Sequence, residues 1–227
     1  MILQLKKLHP EDMIIMLVSS NLFKKSSKSR KVRCEICANY CKIADGSYGI
    51  CKQHKNINGE LFDESFGVVS SLNADPIEKK PLYHFLPGTL TYSVGGFGCN
   101  MGCLHCQNYM ISQEFDKISD RFNILPETIV ENAINQGCKS IAWTYNEPTI
   151  HLPFNKKTSL LAKRKNLKIV YVSNGYMSDQ SLSEILNFVD AFNIDLKSMS
   201  QNFYKKICKA DLNIVLDNLK RIYDADK

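Results

Sequence analysis

The chain has 227 residues, 44% of them hydrophobic and 23% charged, with a formal net charge of +6. That length fits one large domain or a domain with a small module, and the composition excludes a disordered chain. The mild charge comes without an RNA- or DNA-binding signature, so no nucleic-acid partner is expected.

Residues 1–33 read as a variable N-terminal segment with a basic linker. The apolar run Met13–Val18 is far shorter than the ~20 residues of a membrane helix and lacks a signal-peptide layout. Beyond the linker, residues 1–33 suggest a short helix at most, and no membrane partner is expected. Lys24, Lys25, Lys28, Arg30, Lys31 and Arg33, set among serines, read as a solvated linker.

Residues 34–87 read as a small Cys-rich metal module and a connecting segment. Cys34, Cys37, Cys41 and Cys51 stand among the turn residues Asp45-Gly46 and Tyr48-Gly49. That suits a knot held by metal rather than by a hydrophobic core. Four thiolates can close a site completely, and zinc or a second iron-sulfur cluster would both fit. Asn58-Gly59 marks a hairpin turn between residues 55–57 and 60–62. Nine cysteines without an evident secretory signal favour a reduced, cytoplasmic compartment over a disulfide framework.

From residue 88 to 227 the pattern becomes α/β. Strands are expected at 89–94, 140–144, 168–172 and 191–195. Helices are expected at 126–134, about 157–165, 180–188 and 213–223, the first opened by Pro126 and closed by Gln136-Gly137. Pro153 suggests that the second helix begins late. Apolar strands alternating with amphipathic helices imply a parallel sheet with right-handed crossovers. In such folds functional groups gather at the C-terminal strand ends, and here those ends carry Cys99, Glu147, Asn174 and Asp195.

Cys99, Cys103 and Cys106 have the spacing C-x3-C-x2-C. A [4Fe-4S] cluster takes one thiolate per iron, so three thiolates leave one iron open, the mark of a reactive site. Zinc normally takes two C-x2-C arms, and His105, caught between two of these cysteines, is awkwardly placed to complete such a site. Cys138 and Cys208 stand apart and read as buried thiols. Gly95, Gly96 and Gly98 allow close backbone approach but form no dinucleotide fingerprint.

Gly98-Cys99-Asn-Met-Gly-Cys103-Leu-His-Cys106-Gln-Asn108 resembles the cluster loop of radical S-adenosylmethionine (SAM) enzymes. The stretches 75–88, Thr144-Tyr-Asn-Glu-Pro-Thr149 and Asn193-Ile-Asp-Leu-Lys197 are similar to the AmmeMemoRadiSam-system members, relatives of the pyruvate formate-lyase activating enzyme. The resemblance runs from about residue 32 onward. It implies that Cys99, Cys103 and Cys106 hold a [4Fe-4S] cluster whose fourth iron is chelated by SAM. Reductive cleavage would yield methionine and a 5′-deoxyadenosyl radical that abstracts hydrogen from a substrate. It further implies an electron donor such as a ferredoxin or flavodoxin and, by analogy with activating enzymes, a substrate protein carrying a target glycine.

Glu147 stands where the superfamily has Gly-Gly-Glu-Pro, which contacts the SAM amino group; by itself it would be a helix N-terminal Glu beside a turn proline. Ser173, Asn174, Asp195 and Lys197 line the SAM pocket by resemblance, although Asn174-Gly175 alone would be an ordinary turn. His105 replaces an aromatic residue and can pack against the cluster or an adenine. Ala38 stands where relatives carry proline. The sequence stops after a fourth βα unit where relatives have six, so the expectation is a C-terminally truncated radical SAM (β/α) barrel with an exposed edge strand. That leaves a second reading, a non-catalytic iron-sulfur- or zinc-binding remnant or interaction module.

Overall fold

The structure, a computed structural model, describes residues 3–7, 14–26, 29–117 and 122–227, with side chains from residue 18 onward. At its centre is a five-stranded mixed sheet. In spatial order its strands are Ala191–Ile194, Lys168–Ser173, Ser140–Trp143, Leu90–Gly95 and Ser71–Pro76. The first four are parallel. Ser71–Pro76, from the stretch expected to be a connector, joins as an antiparallel edge.

Both faces of the sheet are covered, which explains the unbroken apolar runs in its strands. Ile141, Trp143, Ile169 and Tyr171 point to one face and pack with residues of the helices. Ala142 and Val170 point to the other, under Ile77, Leu82 and Phe85. The period of two along each strand therefore sorts residues between a helical layer and the segment that follows Pro76. Trp143 is buried at 2% exposure, and its indole N–H is satisfied by Ser159 Oγ at 3.0 Å.

The expected helices lie at Pro126–Asn135, Leu152–Lys163, Asp179–Leu186 and Leu212–Asp224. The second starts earlier than Pro153 suggested. A 3-10 turn, Pro148–His151, runs straight into it, and proline is tolerated in a first turn because its missing N–H has no helical partner there. Ser178 and Asp211 cap the last two helices through their side chains.

The N-terminal third differs from its expectation. Ile14–Ser19, in the segment where at most a short helix was expected, is a strand paired with Leu3–Lys7 and Glu60–Asp63. The β-branched Ile14, Ile15 and Val18 suit that conformation; Met13 lies outside the described residues. The basic stretch is no free linker either. Phe23–Lys25 pairs with Val32–Cys34, Arg33 and Lys24 both reach Glu35, and Lys28 lies outside the described residues. The Asn58-Gly59 hairpin is present between His54–Ile57 and Glu60–Asp63. Val32, Ile36, Ile43 and Leu61 give this region a small apolar core of its own. Among the described residues no helix is long and apolar enough to cross a membrane.

Candidate functional site

The strand Leu90–Gly95 delivers the chain to a loop that is pinned from several sides. A β-carbon on Gly96 would meet His151 Nε2 at 2.5 Å. One on Gly98, whose φ is +85°, would meet the Cys51 carbonyl oxygen at 2.6 Å. Only glycine fits either place. The Asn146 side chain clamps the same turn, accepting from Gly96 N and donating to Gly98 O, both at 2.9 Å. Its second amide hydrogen faces His151 Nε2 at 3.0 Å. That makes Nε2 the acceptor and puts the ring proton on Nδ1, toward Ser65 Oγ at 2.8 Å. Ser65 in turn donates to Asp63 Oδ1. Burial holds His151 neutral, its pKa pushed down to about 4.

Beyond this turn, Cys99, Cys103 and Cys106 open onto one cavity of about 390 Å³, within the ~300–1,000 Å³ usual for small-ligand sites. Glu147, Ser173, Asn174, Asp195, Lys197 and His105 line the same cavity. Every site residue named between Cys99 and Lys197 is therefore brought together. Cys99 Sγ accepts from Met101 N at 3.4 Å and from Asn174 Nδ2 at 3.7 Å. Burial pushes the Cys103 thiol up to about 12 and raises Cys99 as well. Both groups are thus neutral thiols that must shed protons to bind metal.

Glu147 is 1% exposed. Its Oε1 accepts from Thr149 N, Thr149 Oγ1 and Ser173 Oγ, while Oε2 accepts from Asn174 N at 2.9 Å. It caps the 3-10 turn, as its place before Pro148 suggested, and it also faces the cavity. Oε2 carries one protein donor where a carboxylate oxygen can take two, so one acceptor position is left. Burial raises its pKa against these hydrogen bonds. Asn174 spends its side chain on the cysteine loop, donating to Asn100 Oδ1 at 2.8 Å. Lys197 Nζ pairs with Asp195 Oδ2 at 2.8 Å. His105 is exposed at the rim, its ring 5.6 Å from that of Phe203.

Sequence reasoning missed a second wall of the cavity. Lys79, Lys80 and Tyr145 line it too, and all three converge on Asp75: Tyr145 OH at 2.8 Å, each lysine at 3.0 Å. Burial opposes the charge on Asp75, but these donors outweigh it and hold the carboxyl well below its usual range. The signal was present in the stretch 75–88, without anything in it to place it beside the cysteines. Cys208 is a further correction. It is buried, as expected, but it does not stand apart: backbone bonds from Gly102 N to Cys208 O and from Leu104 N to Ile207 O set it beside Cys103.

Cys34, Cys37, Cys41 and Cys51 face one another closely enough to perturb each other's charge. Burial raises Cys34, and pushes Cys37 up to about 12 and Cys51 to about 11. Among the described residues, no three His, Cys, Asp or Glu side chains close on a single ion as they stand. Thiolates bound to separate irons need no such convergence. Cys51 Sγ lies 3.6 Å from His54 Nδ1. Asn39 Nδ2 docks the group onto the Cys99 loop by donating to Asn100 O at 2.6 Å, and Ser178, the cap of the helix Asp179–Leu186, donates its Oγ proton to Glu35 O at 2.5 Å.

A family model described as the radical SAM superfamily matches residues 93–227. An uncharacterized protein of Methanocaldococcus jannaschii is 45% identical over 200 residues, which make up 88% of this chain and 59% of that protein. The chain thus spans about 59% of the length of this curated relative.

Proposed function

The chain belongs to the radical SAM superfamily, and from that premise we propose an enzyme of the AmmeMemoRadiSam-system type, related to pyruvate formate-lyase activating enzymes. Membership implies SAM-dependent radical chemistry, which in this superfamily typically uses a [4Fe-4S] cluster. The observation that carries the finer reading is one cavity, at the ends of parallel strands, lined by three thiols and the buried Glu147. The donor set fits the group: three soft sulfurs on one loop, and oxygen and nitrogen donors facing them.

In this reading Cys99, Cys103 and Cys106 hold the cluster. When bound, the cluster and SAM supply reductive cleavage of the sulfonium to methionine and a 5′-deoxyadenosyl radical that abstracts hydrogen from the substrate. Glu147 orients the SAM ammonium with the acceptor position left on Oε2, a charge-assisted hydrogen bond. Ser173 and Asn174 hold Glu147 in place, and Asn174 also steadies Cys99. Asp195 and Lys197 offer a paired anion and cation to the ribose and the methionine carboxylate, and His105 closes the rim. Residues 1–33 form a variable segment, 34–87 the Cys-rich module with a connector whose strand Ser71–Pro76 joins the central sheet, and 88–227 the radical SAM core. Cys34, Cys37, Cys41 and Cys51 hold zinc or a second iron-sulfur cluster. The electron donor is a ferredoxin or flavodoxin in a reduced, cytoplasmic compartment. The substrate, by analogy alone, is a glycine of a partner protein.

Anaerobic reconstitution followed by SAM and a strong reductant tests this. The expected result is 5′-deoxyadenosine formed by the wild type and reduced to background by Cys103→Ala. Glu147→Gln should weaken SAM binding by roughly 10–100-fold, the size of one hydrogen bond to a charged group. Cluster iron without any deoxyadenosine would favour the non-catalytic binding module. Zinc without iron at the three cysteines would sink the cluster reading.

A further inference from the structure

Cys208 is the cysteine that the ligand assignment leaves over, and its setting is built rather than incidental. It is fully buried and ends a single π-helical turn, Tyr204–Cys208, a geometry that recurs at functional sites. Carbonyls at the end of a helix lack intrahelical donors. Here the cysteine loop supplies them: Leu104 N donates to Ile207 O at 3.1 Å and Gly102 N to Cys208 O at 3.0 Å. The backbone on both sides of Cys103 is thereby pinned to the turn that carries Cys208. These bonds set the two cysteines side by side, close enough for each thiol to perturb the other. Cys208 belongs to one buried apolar cluster with Met101, Tyr204, Leu212 and Val215, and Cys103 packs against that cluster.

We infer that Cys208 is a positioning residue for the metal centre, its S–H donating to the sulfur of Cys103 once Cys103 is a metal-bound thiolate. The inference rests on the reading that Cys99, Cys103 and Cys106 hold an iron-sulfur cluster. Between two free thiols either sulfur can donate. A ligated Cys103 has no proton left, so only Cys208 can. Cys208 is not itself placed as a fourth ligand. A cluster takes one thiolate per iron, and the backbone bonds make Cys208 the neighbour of a cysteine already assigned to one iron. Hydrogen bonds to cluster sulfurs stabilise the more negative, reduced form and raise its potential. Cys208 therefore eases the reduction on which SAM cleavage depends.

The full chain is reconstituted anaerobically as wild type, Cys208→Ala and Cys208→Ser, with thermal melts confirming that each variant folds. Iron per chain and the midpoint potential, read by the cluster's paramagnetic signal, are then compared. The expected result is full iron loading in all three, a more negative potential in Cys208→Ala, and an intermediate value in Cys208→Ser, which keeps a donor. An unchanged potential in a fully loaded Cys208→Ala would overturn the inference. So would loss of cluster iron on substituting Cys208 in a folded chain, which would make it a ligand. Full loading of Cys103→Ala is a different result: it would remove the ligand assignment of Cys103 itself.

Discussion

The Cys99 loop hangs between the ends of parallel strands and keeps its three cysteines partly exposed toward a cavity, whereas Cys34, Cys37 and Cys51 are buried among short antiparallel strands. One group leaves a side open to a ligand, and the other is largely enclosed by its own fold, with only Cys41 partly exposed. In metal sites that difference separates reactive from structural roles. The two are nonetheless neighbours, joined by Asn39 to Asn100 and by the close packing of Gly98 against Cys51.

The sharpest way to break the comparison is to remove one cysteine from each group. Cys37→Ala should lower stability by several kcal/mol in the metal-loaded protein, a fall in Tm on the order of 10 °C, while iron at the Cys99 loop persists. Cys103→Ala should do the reverse, abolishing SAM-dependent chemistry with a smaller change in Tm. Melting curves paired with metal analysis decide it. Equal loss of stability and of loop iron in both variants would mean that the two groups form one site.

A medium-sized effect concerns the bridge between them, Ser65–His151–Asn146. An unfolded chain protonates histidine near pH 6.5, whereas His151 stays neutral in the fold down to about 4. Its stabilising contribution is therefore complete above pH 6.5 and is lost as pH falls from 6.5 to 4, by about 3 kcal/mol. His54, lowered by burial to about 3, acts in the same direction, and Asp63, raised by burial to about 7, opposes both. The gap in unfolding free energy between wild type and His151→Gln isolates the His151 share. It should narrow by about that amount across the window, and a gap independent of pH would show that His151 is not held neutral.

The smallest effect belongs to the direct contact. Asn39→Ala removes one hydrogen bond to the Asn100 carbonyl, so about 1 kcal/mol and roughly 2–4 °C in Tm should be lost. Calorimetry that finds no change would show that the Cys-rich region does not lean on the loop at this point.

Legibility followed the range of the interactions. The helices Pro126–Asn135 and Leu212–Asp224 were readable because caps and periodicity act within a few residues. The strand Ile14–Ser19 was not, because a short apolar run fits either period until Glu60–Asp63 offers it an edge. Glu147 was found from its motif. Its bonds to Ser173 and Asn174 could not be, since they come from the next strand over.

The sequence alone determined that three thiols share one tight loop, because ligands so close in the chain stay neighbours in any fold. It also determined the α/β alternation that sends Glu147, Asn174 and Asp195 to the same end of a parallel sheet. Only the tertiary structure decided what stands behind that loop. Cys208 meets Cys103 because the end of a π turn needs donors that the loop can give. His151 meets Gly96 because no β-carbon keeps them apart. Asp75 gathers Lys79, Lys80 and Tyr145 because an antiparallel edge strand carries it to the cavity wall. Each of these meetings depends on packing between segments distant in the chain, and no local pattern of residues encodes it.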